Sequence, residues 1–108
     1  MQAHTRVTFY IGLTNATRPN HTRDVEARKG LALLIITRDF PRTVSSIRAG
    51  AEAEPSVRVE IEVPDAPTLR ERARACAYKI ALRLEQDAVA VGFDAVDFEL
   101  VALEREVA

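Results

Sequence analysis

Apolar and polar residues alternate along two stretches of this chain. In the first, every second position is apolar or threonine (Thr5, Val7, Phe9, Ile11, Leu13), with Arg6, Thr8, Tyr10 and Gly12 between them. The alternation returns at Val57, Val59, Ile61 and Val63, separated by Arg58, Glu60 and Glu62. A period of two predicts strands with one buried and one wet face, over 5–13 and 56–63.

A helical pattern follows each strand. Over 23–39, Val25, Lys29, Ala32, Leu33 and Ile36 fall on one side, and Phe40 continues the stripe. Thr22 stands where an N-cap is needed, and Asp24 and Glu26 suit the first turn. Gly30 interrupts this helix at a cost of about 1 kcal/mol relative to Ala. Residues 31–36 are apolar on every face, as in a buried strand. We read helix, because the segment between the first two strands otherwise lacks a crossover element. Pro41 ends it. Residues 43–49 read as a short edge strand. The second helix is expected over 68–86, opened by the capping box Thr68-Leu69-Arg70-Glu71. Its stripe is Leu69, Ala73, Cys76, Ala77, Ile80 and Leu84. Residues 88–103 carry a β-like run, a break at Gly92 and a second run over 96–103.

The order βαββαβ predicts one α+β domain over 1–108, a ferredoxin-like sandwich with two helices on one face of an antiparallel sheet. The opening Val7-Thr8-Phe9-Tyr10-Ile11-Gly12-Leu13, then Phe40-Pro41 with Thr43-Val44, the segment from Glu54 to Val57, and Gln86-Asp87-Ala88-Val89-Ala90-Val91 resemble small ferredoxin-like bacterial and phage proteins of unknown function. The resemblance implies the fold and brings no activity with it.

Charge changes the picture only locally. Residues 1–50 hold eight basic side chains against three acidic, and residues 51–108 hold seven against thirteen. Such asymmetry marks a binding face, or nothing if the fold interleaves the halves. Arg far outnumbers Lys and Ala is abundant, which suggests a GC-rich bacterial or phage coding sequence. The single Cys76 excludes an internal disulfide, and residues 2–6 lead straight into a strand with no export leader. With no apolar run of membrane-spanning length, these features predict a cytoplasmic protein that does not enter a membrane.

Candidate chemistry is sparse. His4 and His21 are the two histidines, without the cluster that a metal site needs, so no metal and no cofactor are expected. No nucleophile–histidine pair is identifiable, no catalytic residue is assigned, and whether the chain is an enzyme is left open. Cys76 lies on a core stripe. Glu60, Glu62, Asp97 and Glu99 would share the outer sheet face with Arg6, Tyr10 and Arg58, where cross-strand pairing is the ordinary fate of such residues. Carboxylates there repel phosphates, so RNA binding on the sheet is disfavoured. Basic residues on both helices raise nucleic-acid binding as a further alternative. In helix two they are spread around the circumference, with no recognition motif, so it too is disfavoured.

Two expectations remain. Leu31, Leu34 and Ile35 on helix one, and Tyr78 and Leu82 on helix two, are apolar beyond what a single stripe requires. They predict a non-enzymatic interaction module that self-associates as a homo-oligomer and binds a protein partner. The alternative is a small-molecule or anion-binding enzyme. Its site would be Arg18, Asn20, His21, Thr22 and Arg23, where free helix amides favour an anion.

Overall fold

The computed structural model describes residues 3–14, 22–50 and 55–96. The element order is β1 (His4–Gly12), α1 (Thr22–Asp39), β2 (Val44–Ala49), β3 (Ser56–Pro64), α2 (Leu69–Arg83) and β4 (Ala90–Val96). The strands form one sheet in the order β2-β3-β1-β4, every neighbouring pair antiparallel. This is the ferredoxin-like arrangement that the pattern predicts.

Alternation decides which face is dry. Val7, Phe9 and Ile11 of β1 and Val57, Val59, Ile61 and Val63 of β3 are buried. They meet Ala32, Ile36 and Phe40 from α1 and Leu69, Ala73, Cys76, Ala77, Ile80 and Leu84 from α2 in one core. Residues 31–36 are helical. Gly30 sits in α1 with open space around it. The helix stops at Asp39, and Arg42, at a φ of 62°, turns the chain into edge strand β2.

Three expectations change. The capping box of α2 does not form: Thr68 makes no side-chain cap bond. A turn bond from Leu69 N–H to the Ala66 carbonyl (3.1 Å) holds Thr68 at φ −92° and ψ 1°, whereas a cap needs extended backbone. The helix also ends at Arg83 rather than near 86. There Glu85 takes a φ of 55°, Glu85 N–H reaches the Leu82 carbonyl, and Gln86 N–H reaches the Ala81 carbonyl. This Schellman turn swings the chain back toward the sheet. Gly92 does not break the last segment, because it lies inside β4 opposite Thr8. The Tyr10 ring lies beside it, 3.6 Å from where a Cβ would stand, and supplies the packing that glycine lacks. The expected run over 96–103 lies outside the described residues from position 97 onward.

Candidate functional site

β1 runs between β3 and β4, so its outward side chains are flanked on both sides. Arg6 stands opposite Glu62 and Asp94, Thr8 opposite Glu60 and Gly92, and Tyr10 opposite Arg58 and Ala90. The two ends of this face differ in charge. At one end Arg6 donates to Glu62 at 3.0 Å and lies 3.8 Å from Glu60. The hydrogen bond to Glu62 is the largest of the effects holding the Arg6 guanidinium above its ordinary value; desolvation opposes it, and the charges of Glu62, Glu60 and Asp94 add to it. These glutamates are therefore engaged as an ion-pair network rather than poised as an acid–base pair.

The other end is cationic. Arg58 stands opposite Arg48 of β2, a like-charge cross-strand pair that costs stability unless something anionic or strongly accepting offsets it. Arg48 donates to the Ser46 hydroxyl at 3.1 Å. Arg58 lies over the Tyr10 ring, 5.3 Å from its centroid. Beside this pair is a cavity of about 340 Å³, walled by Tyr10, Gly12, Gly50, Ser56, Arg58 and Gln86, with Thr14 and Pro55 at its margin.

Local geometry builds that cavity. The Schellman turn delivers Gln86, whose side-chain N–H donates to the Thr14 carbonyl at 3.0 Å. A Cβ at position 12 would stand 2.9 Å from Gln86 Oε1, and one at position 50 would stand 1.8 Å from Ser56 Oγ. Position 50 therefore favours glycine for room, whereas at position 12 only the end of the Gln86 side chain would have to move. Arg58 Nε and Ser56 Oγ are buried and have no hydrogen-bond partner. An unpaired buried donor costs roughly 1–3 kcal/mol, so both atoms favour a ligand that carries acceptors. An aromatic face, a guanidinium and a hydroxyl at one cavity suit a flat, polar-edged molecule.

The residues singled out from the sequence are distributed differently. Arg18, Asn20 and His21 lie outside the described residues, as do Asp97 and Glu99. Thr22 and Arg23 open α1. Leu31 and Ile35 are half-buried against the core, while Leu34 is 45 % exposed. Tyr78 and Leu82, one turn apart on α2, are 69 % and 65 % exposed. Tyr78 borders a second hollow of about 270 Å³ between α2 and β4, lined also by Ala77, Ala81, Val89 and Val91. Of the five basic residues of α2, three are engaged within the fold. Arg70 stacks on Phe93 (4.4 Å), Arg72 stacks on Phe40 (4.7 Å), and Lys79 pairs with Asp39 (2.8 Å). Cys76 is buried, and its thiol is pushed up to about 12, first by burial and then by Asp39. Among the described residues no group of His, Cys, Asp or Glu is placed to hold a metal ion. No described helix is long and apolar enough to cross a membrane.

Sequence reasoning put Tyr10 and Arg58 on one face but missed Ser56, Gly12, Gly50 and Gln86. Its one available signal was two glycines at strand ends. Gln86 comes from across the chain and carries no local mark.

No protein-family model matches this sequence, and no curated protein is significantly similar to it. Similarity is found among solved folds. A phage SAM lyase, solved in complex with S-methyl-5'-thioadenosine, superposes with a TM-score of 0.59 at 14% identity, covering 94% of this chain and 95% of that one. A de novo designed protein, Foldit4, superposes with a TM-score of 0.51 at 13% identity, covering 92% and 100%. At these identities the likeness establishes the fold alone.

Proposed function

We propose that this protein binds a small molecule with a flat, acceptor-rich ring, of nucleoside size, in the cavity at the end of β1 and β3. The reading rests on the pair of buried, unpartnered donors, Arg58 Nε and Ser56 Oγ, beside the Tyr10 ring. Ring nitrogens and sugar oxygens accept hydrogen bonds, and the ring face stacks on tyrosine or guanidinium. The likeness to the phage lyase supports the choice of probe, since that protein was captured with a thioether nucleoside. Calorimetric titration with S-methyl-5'-thioadenosine and with SAM tests it. Saturable binding is expected, weakened about tenfold or more (roughly 1.4 kcal/mol) by Arg58→Met. Silence with both probes, or equal affinity in Arg58→Met and Ser56→Ala, rejects the reading. Release of S-methyl-5'-thioadenosine from SAM would add an enzymatic role to it.

A second reading is self-association with recruitment of a protein partner. It is supported by the exposure of Tyr78 and Leu82 beside the α2–β4 hollow. The two readings use opposite faces of the sandwich and are compatible.

A further inference from the structure

Among the described residues, the side chain most at odds with its surroundings is Arg28. It lies on α1 between Val25 and Ala32, near the stripe that faces the sheet, and is only 8 % exposed. Its Nε and both terminal nitrogens are buried, and none has a hydrogen-bond partner. A guanidinium presents five N–H donors and no acceptor, so it needs partners that accept. Leaving such a group buried and unpaired is strongly unfavourable, whereas a paired one is tolerated. Asp24 is one helical turn earlier, at the spacing of a helix ion pair, yet it is exposed and does not pair with Arg28.

Position narrows what the missing partner is. Arg28 is six residues into a helix that starts at Thr22, about 9 Å along its axis. Long helical side chains lean toward the helix N-terminus. A guanidinium leaning that way approaches the turn whose first amides have no intrahelical acceptor and whose dipole is positive. A group with several anionic oxygens meets both demands: two oxygens match the guanidinium fork and another meets the amides. We propose that Arg28 and the first turn of α1 bind a phosphate-type oxyanion, at a site separate from the cavity at Arg58 and independent of the reading given for it.

Thermal unfolding of the full chain in sodium phosphate and in sodium chloride of equal ionic strength tests this. Phosphate is expected to raise the wild-type Tm saturably, by about 4 °C or more once it exceeds its Kd severalfold. Arg28→Met should lose the response, and Lys79→Ala, whose side chain pairs with Asp39 at the far end of α1, should keep it. Identical melting in the two salts overturns the proposal, as does an Arg28→Met protein that responds like the wild type. Equal destabilisation by Arg28→Met and Asp24→Asn without a phosphate response assigns Arg28 to Asp24 and also overturns it. If Arg28→Met does not fold, a phosphorus NMR titration of the wild type decides: saturable broadening supports the site and its absence removes it.

Discussion

The Cys76 thiol shows how a burial decision becomes a pH dependence. It is fully buried on the inner stripe of α2, and its ionisation is opposed by desolvation and by the neighbouring Asp39 carboxylate. Its value rises from 9.0 to about 12. The unfolded chain releases this proton first, so above pH 9 it binds fewer protons than the folded chain and unfolding gains ground as pH rises. The stability tied to the neutral thiol is fully present below pH 9 and is lost between 9 and about 12, at no more than about 1.4 kcal/mol per pH unit. Chemical denaturation from pH 8 to 10.5 should show Cys76→Ala declining less steeply than the wild type; parallel slopes would contradict the assignment. The native thiol should also resist alkylation at pH 8 and react once the protein is unfolded. Asp39 has a second role, since it pairs with Lys79, and its backbone carbonyl accepts from Arg72 at 3.1 Å. Lys79 is more than half exposed, so solvent screening limits the pair. Lys79→Ala should lower stability in urea denaturation by less than about 1 kcal/mol.

At the level of elements, α1 carries a correctable weakness. Gly30 lies within it, is exposed, and has no atom within 4 Å of a built Cβ. Gly30→Ala should therefore stabilise the protein by roughly 0.5–1 kcal/mol in urea denaturation, through the lower chain entropy of alanine. Gly50→Ala should do the reverse, by roughly 1–3 kcal/mol, because the new methyl would overlap Ser56 at the mouth of the cavity. These two glycines mark the limit of what the chain discloses before folding. Strands β1 and β3 and the stripe of α2 were legible because burial imposes periods of 2 and 3.6 on every residue in them. The helical state of residues 31–36 was legible only through topology. The failed cap at Thr68 was not legible, since its motif is local but the turn from Ala66 to Leu69 overrides it. Nor was Arg28, because an arginine near a core stripe reads as solvated until the fold buries it. The cavity was half legible: alternation places Tyr10 and Arg58 together, while Gln86 arrives through a turn in which a glutamate takes a conformation that glycine favours.

For the whole molecule, the charge contrast between the two halves of the sequence does not become a contrast between two sides. β1, from the basic half, lies between β3 and β4 from the acidic half, and α1 packs beside α2. The polarity that survives is along the outer sheet face, with Arg48 and Arg58 at one end and Glu60, Glu62 and Asp94 around Arg6 at the other. Exposed large apolar side chains stand on both layers, Tyr10 and Ile47 on the sheet and Leu34, Tyr78 and Leu82 on the helices, where Tyr78 and Leu82 are the most exposed. Exposed apolar groups that are merely tolerated are replaceable without changing the assembly; those that meet another subunit are not. Because Leu82 is about two-thirds exposed, Leu82→Glu should alter the stability of an isolated subunit by no more than about 0.5 kcal/mol. Leu34→Glu should cost somewhat more, since that side chain is over half covered. Native mass spectrometry of the full chain is expected to show an oligomer for the wild type and folded monomers for both variants. A wild-type monomer would remove the self-association reading and leave the cavity at Arg58 as the basis for function. Unfolding of both variants would show that these residues belong to the core.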